Sequence, residues 1–245
     1  MSEREAKTSF ESWNPDGFAK DAQYQATIRH IISKKVTGDV MDWGCGSRVF
    51  YDVGAAKSWT GIDISERMLS SIHFHNTIPD MKIVNDDILD LSFADESVDV
   101  IVACFILHHL ALDGPKTSRE RVQKAFDSAF RLLRPGGCFI VCENCRGPLE
   151  APYHWAFPLA FPLARRLLNT DLPYFWTNHQ YRRFGTNAGF ETPVSFVNVP
   201  ITDWIYNPVL RFSVPPILSH DLIQKMTVFE FRKASIGDAP GSPHS

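Results

Sequence analysis

Apolar positions along this chain fall into two rhythms. Short, nearly continuous apolar runs recur at "DVMDW" (39–43), "SWTGID" (58–63), "MKIVN" (81–85), "VDVIVA" (98–103) and "CFIVCE" (138–143). Runs of this length, rich in Val, Ile and aromatic residues, read as strands, and strands apolar on both faces are those covered by helices on both sides. Stretches with a helical rhythm lie between most of them. In "RERVQKAFDSAFRLLRPGG", Val122, Ala125, Phe126, Ala129, Phe130 and Leu133 repeat at three and four, and Pro135-Gly136 stops the helix. Strand and helix in alternation predict a doubly wound, mostly parallel α/β sheet.

After residue 145 the strand rhythm gives way to "RGPLEAPYHWAFPLAFPLARRLLNTDLPYFW", rich in proline and aromatics, which reads as a helical and aromatic insertion over 146–176. A helix at roughly 177–188 is expected to end near Gly189, and "TPVSFVNV" (192–199) and "MTVFEF" (226–231) bring the sheet to about seven strands. The expected organisation is a flexible start (1–16), one domain (17–233) opening with a cap helix over 17–38, and a disordered tail (234–245).

Composition narrows the class. With 245 residues, 44% apolar and 22% charged, the chain has the make-up of an ordinary globular domain. A net charge of −3 supplies no broad basic field, so no nucleic acid partner is expected. Cys45, Cys104, Cys138 and Cys142 sit in apolar runs, where reduced cysteine packs as a small hydrophobe, and the polar start "MSEREAKTSFESWNPDG" has no apolar stretch of the kind a secretory signal needs. A cytoplasmic location is expected. The longest apolar runs are short and broken by proline, so stable membrane insertion is not expected. Cys142-x-x-Cys145 is half a zinc motif without its second half, and no metal site is expected.

The chemistry concentrates at strand ends. "VMDWGCGS" closes the first strand with Asp42 and places Gly44 and Gly46 in the turn, where backbone must take positive φ or approach a ligand closely. A dinucleotide fingerprint would need glycine at 49, which is Val49, and a carboxylate ahead of the turn repels a diphosphate while favouring a positive group. Asp63 ends the second strand, where such folds place a carboxylate that accepts ribose hydroxyls. Asp86, Asp87 and Ile88 follow the third strand, an acid for an adenine amine and an aliphatic face for its ring. Ala103, Cys104 and Phe105 end the fourth.

In this ordered set the chain resembles the class I S-adenosylmethionine-dependent methyltransferases, in particular the broad subgroup acting on small molecules. The resemblance runs over 40–143, through "VMDWGCGS", "WTGIDISERML", "NDDILDLSFADESVDVIVACFILHHL" and "AFRLLRPGGCFIVCE". It implies a Rossmann-like seven-stranded sheet with an antiparallel last strand, S-adenosylmethionine as cofactor and a small-molecule methyl acceptor. It also implies cofactor contacts from Asp42, Gly44, Cys45, Gly46, Asp63, Ile64, Asp87 (in preference to Asp86), Ile88, Ala103 and Phe105. Two features depart from the family pattern. Arg48 replaces the third glycine, and the interval from Asp42 to Asp63 is short, so the first helix is expected to be short or irregular.

His108 and His109 follow the fourth strand near the expected methyl position, either as proton acceptors or as a helix-start feature. Tyr153, Trp155, Phe157 and Tyr174 in the insertion, with Tyr24 in the first helix, are candidate acceptor contacts; a structural cap would have the same composition. The expected function is methyl transfer to a small, apolar or aromatic acceptor. The alternative is a catalytically silent relative serving as a binding or partner subunit.

Overall fold

The computed structural model describes residues 23–110, 115–147, 174–192, 194–199, 205–207, 212–214 and 224–235. In chain order these form α1 (Gln23–Ser33), β1 (Gly38–Trp43), β2 (Arg48–Val49), β3 (Ala56–Asp63), α2 (Glu66–Ser70), β4 (His73–Phe74), β5 (Met81–Asn85) and β6 (Val98–Cys104). A 3₁₀ turn (Leu107–Leu110), α3 (Pro115–Leu132), β7 (Leu133–Arg146), α4 (Asn178–Ala188), β8 (Ser195–Val199), β9 (Ile205–Asn207), β10 (Phe212–Val214) and β11 (Gln224–Arg232) follow. Seven strands make one sheet in the order β5-β3-β1-β6-β7-β11-β8. The first five are parallel, and β11 runs antiparallel to both β7 and β8. This is the Rossmann-like architecture the alternation predicts, with the last strand in chain order reversed. β9 and β10 pair separately as an antiparallel ribbon.

Two apolar layers sandwich the sheet, and period-two alternation along the strands assigns residues to them. Met41, Trp43, Ile101, Ala103, Phe139 and Val141 face Val122, Ala125, Phe126 and Ala129 of α3 and Tyr181 and Phe184 of α4. On the other face Val40, Val100, Val102, Ile140 and Cys142 pack with Ile28 and Ile32 of α1 and with Tyr51 and Trp59. Cys142 and Cys145 fall in opposite layers, since residues three apart on a strand point to opposite faces. Such a pair cannot converge on one ion.

Two crossovers differ from the alternating pattern. No helix follows β1; its connection instead forms β2, which pairs in parallel with β4. The connection from β5 to β6 also carries no helix. α4 lies where the 177–188 reading puts it, capped at its start by Thr177 and Gln180 in a reciprocal pair and at its end by Gly189 at φ +104°. At the amino ends of the strands, Arg134 donates to Asp39 (2.9 Å) and to the Ser97 carbonyl (2.6 Å) and pairs with Asp99 (2.8 Å). That network ties β1, β6 and β7 together at the end of the sheet opposite the site.

Candidate active site

Where β1, β3, β5 and β6 end, their carboxyl-terminal residues surround a cavity of about 210 Å³. A crevice beyond the carboxyl ends of parallel strands is where open α/β sheets bind ligands. Nine of the ten expected cofactor contacts line it: Asp42, Gly44, Cys45, Gly46, Asp63, Ile64, Asp87, Ile88 and Phe105.

The glycine turn is shaped for close approach. Gly44 and Gly46 take φ of +64° and +59°, conformations L side chains rarely adopt, and a Cβ on Gly44 would come within 2.6 Å of the Ile106 side chain. The amides of Gly44 and Cys45 both donate to the Ile62 carbonyl, at 2.7 and 3.2 Å, which folds the turn over the end of β3. Asp63 braces it, its Oδ2 accepting from the Gly46 amide (2.9 Å) and its Oδ1 from the Ser65 amide (2.8 Å). These two bonds hold the carboxylate plane fixed at the cavity.

Asp42 is 3% exposed. Its Oδ2 accepts from the Tyr51 hydroxyl at 2.6 Å, and Trp59 Nε1 in turn donates to that hydroxyl at 3.1 Å. Burial pushes the carboxyl up to about 7, opposed by the Tyr51 hydrogen bond and reinforced by the charge of Asp63. A buried acid so poised is a site for a cation, which would restore its charge. Asp87 uses Oδ1 to accept from the Leu89 amide (2.9 Å), and Asp86 accepts from the Asp87 amide (2.9 Å). Both acids line the cavity beside Ile88. Two braced carboxylates, one buried acid and an apolar wall are the kind of groups that the hydroxyls, ring and positive end of S-adenosylmethionine call for.

Ala103 is fully buried in the layer beneath α3, and Cys104 takes the place at the cavity. Asp42 is in register with Val102 and Trp43 with Ala103, so Ala103 shares a face with Trp43 and not with the acid. Phe105 then turns the chain at φ +57°, a left-handed backbone unusual for a bulky residue, anchored by its amide on the Cys142 carbonyl at 2.8 Å.

The two histidines separate. His108 is buried, and its Nδ1 lies 2.8 Å from Oε2 of Glu143, a fully buried residue at the end of the sheet. The other oxygen of Glu143 accepts from the Leu107 amide (2.7 Å) and the His108 amide (3.4 Å). His109 lines the cavity, its ring centroid 3.9 Å from that of His108, and burial with the neighbouring histidine holds its pKa well below 6.5. The imidazole is therefore neutral at working pH, the protonation state a base needs, and it gains basicity only when a negative charge forms beside it. Tyr174 packs in the core against Trp176, 4.6 Å between centroids, with its amide on the His108 carbonyl (3.3 Å). It is not among the residues lining the cavity. Tyr153, Trp155 and Phe157 lie outside the described residues, as does the side chain of Tyr24. α1 buries Ile28 and Ile32 against the sheet and contributes no described residue to the cavity.

Tyr51, Glu143 and Arg121 are functional-site residues that strand-end reasoning does not reach. Tyr51 meets Asp42 across the turn nine residues earlier, Glu143 holds Leu107 36 residues earlier, and Arg121 reaches the cavity from α3. Among the described residues no group of His, Cys, Asp or Glu could hold a metal ion, and no helix is long and apolar enough to cross a membrane.

Residues 41–141 match the family described as Methyltransferase domain. Over that segment, less than half of its length, the chain is similar to S-adenosylmethionine-dependent methyltransferases. It is 31% identical over 165 residues to a demethylmenaquinone methyltransferase of Tropheryma whipplei, covering 63% of this chain and 62% of the relative's length. Its fold is similar to that in a complex between a methyltransferase activator and a methyltransferase of Haloferax volcanii (TM-score 0.66, 17% identity, 98% of this chain and 100% of that one). It is also similar to the N-methyltransferase NodS of Bradyrhizobium japonicum, solved with S-adenosylhomocysteine (TM-score 0.58, 15% identity, 94% and 97%). The cofactor of this family is S-adenosylmethionine.

Proposed function

We propose that this chain transfers the methyl group of S-adenosylmethionine to a small, planar and largely apolar acceptor. The observation that carries the proposal is the convergence of the glycine turn, Asp42, Asp63, Asp87 and Ile88 on one cavity that also holds His109. Bound S-adenosylmethionine supplies a methyl on a positively charged sulfur, already activated for transfer. Asp63 receives the ribose hydroxyls, Asp87 and Ile88 hold the adenine, and the turn from Gly44 to Gly46 lets the methionine end lie against backbone. Asp42 faces the positive charge.

The protein's remaining work is to align the acceptor atom with the methyl group and to exclude water. Orientation of that kind is worth about 7–11 kcal/mol of barrier. His109 takes the acceptor's proton where one must leave, a contribution of roughly 10²- to 10⁴-fold. Phe105, Ile106 and Leu110 supply apolar walls. The similarity to a demethylmenaquinone methyltransferase favours an acceptor of fused-ring quinol type.

Incubation with methyl-labelled S-adenosylmethionine and a demethylated naphthohydroquinone is expected to place label in the acceptor. His109→Ala is expected to lower turnover at saturating cofactor by about a hundredfold or more with S-adenosylhomocysteine affinity retained. A rate within a few-fold of wild type would remove the base from the mechanism. Binding of S-adenosylhomocysteine without transfer to any acceptor would mark a silent partner subunit instead.

A further inference from the structure

Charge is divided unevenly around the cavity. Asp42, Asp63, Asp86 and Asp87 line it from the ends of β1, β3 and β5, with Arg48 beside them from β2. Beyond β6 the polar groups are His109, on the 3₁₀ turn, and Arg121, on the second turn of α3. The acids account for a cofactor with a positive centre; Arg121 has no use in that scheme. Its Nε is shielded from solvent and has no hydrogen-bond partner among the described residues. A buried N–H left unpaired costs about 1–3 kcal/mol, and such a group in a native cavity calls for an explanation.

We propose that Arg121 receives an anionic oxygen of the methyl acceptor, and that the acceptors are oxygen acids, aromatic or enolic hydroxyl compounds, in preference to amines. The proposal rests on the cavity being the methyl-transfer site. A guanidinium stays charged at any working pH and presents a planar fork of donors to an oxyanion. Between the apolar walls of Phe105, Ile106 and Leu110 that attraction is screened far less than in water. A protonated amine in the same position would face a like charge. His109 sharpens the class: a neutral base is needed to ionise a hydroxyl, and an already ionised carboxylate has no need of one.

The step then balances. The acceptor hydroxyl gives its proton to the His109 imidazole, and Arg121 pairs with the oxyanion. The oxygen, or a ring carbon conjugated with it, donates an electron pair to the methyl carbon; after attack at carbon, that carbon gives up its hydrogen as a proton to water and the C–H pair restores the aromatic ring. The carbon–sulfur bond breaks with its pair remaining on sulfur, leaving a neutral thioether, and His109 releases its proton to solvent.

The test is calorimetry on the full chain saturated with S-adenosylhomocysteine. The two probes are 4-nitro-1-naphthol, acidic enough to be an anion at pH 7.5, and 1-naphthylmethylamine, a cation of similar bulk. The naphtholate is expected to bind wild type about tenfold or more tighter than the amine. Arg121→Gln should remove that preference, Arg121→Lys should keep part of it, and both variants should bind S-adenosylhomocysteine within about threefold of wild type. Equal affinity of wild type and Arg121→Gln for the naphtholate, a preference for the amine, or no naphtholate binding would overturn the assignment. So would a tenfold loss of S-adenosylhomocysteine affinity in Arg121→Gln, which would place the arginine on the cofactor's carboxylate. Failure of wild type to bind S-adenosylhomocysteine at all would instead bring down the methyl-transfer proposal itself, and this one with it.

Discussion

Asp42 sits where a charge is expensive. Its carboxyl titrates at about 7 in the fold against 3.8 ordinarily, because burial outweighs the Tyr51 hydrogen bond. Between those values the fold holds a proton that the unfolded chain has released, so Asp42 makes the ligand-free protein less stable as pH climbs from about 4 to about 7. Asp42→Asn is therefore expected to stabilise the ligand-free protein at pH 8, by at most ~4 kcal/mol, read from urea midpoints across pH. Cofactor binding should follow the opposite trend. A cation in the cavity favours the ionised acid, so S-adenosylmethionine affinity should rise by up to about tenfold per pH unit below 7 and level off above, and Asp42→Asn should flatten the profile. Glu143 is a second residue whose role is set by its partners. Its carboxylate holds the Leu107 amide and the His108 ring at 2.7 and 2.8 Å, the turn on which His109 rides. Glu143→Ala leaves these buried groups unpaired and is expected to cost about 3–5 kcal/mol of stability by denaturant titration, with Glu143→Gln costing less.

At the scale of elements, the turn after β1 and the network at the far end of the strands have separable duties. Gly44→Ala must place a Cβ within 2.6 Å of Ile106 at a φ of +64°, so it is expected to displace the turn and weaken S-adenosylhomocysteine binding by at least about tenfold in calorimetry. Arg134→Ala removes a half-exposed ion-pair network joining β1, β6 and β7. It is expected to cost about 1–2 kcal/mol in denaturant midpoint while leaving that affinity unchanged. Much at this level is legible in sequence. The strand runs from "DVMDW" to "MTVFEF" each mark a strand, and Thr177 and Gly189 bracket α4. The missing helix after β1 is foreshadowed by the short interval between Asp42 and Asp63, but its replacement by a β2–β4 ribbon is not, since His73 and Phe74 lie a full crossover away.

For the whole molecule, binding and folding are coupled through the sheet. The cavity is built from the ends of β1, β3, β5 and β6, and the middles of β1, β3 and β6 lie in the two core layers. Ligand occupying it therefore stabilises the fold as a unit. S-adenosylhomocysteine at a hundred times its Kd should add about 2.7 kcal/mol, a rise in Tm of roughly 5–10 °C for a domain of this size, which differential scanning fluorimetry would read.

Strand-end chemistry is local, and so the sequence by itself determined it. Glycines at 44 and 46 mark a turn needing positive φ, and Asp42, Asp63 and Asp87 each close or follow an apolar run, so the order of strands carries the acids to one rim. Which neighbour faces inward is another matter, because that depends on register and on packing between segments far apart in the chain. Ala103 belongs to the α3 layer because β6 pairs with β1 in one register and not its neighbour. His109 and not His108 meets the cavity because Glu143, from β7, takes His108 away. Arg121 reaches the same space from a helix, and only folding could bring it beside the carboxyl ends of strands.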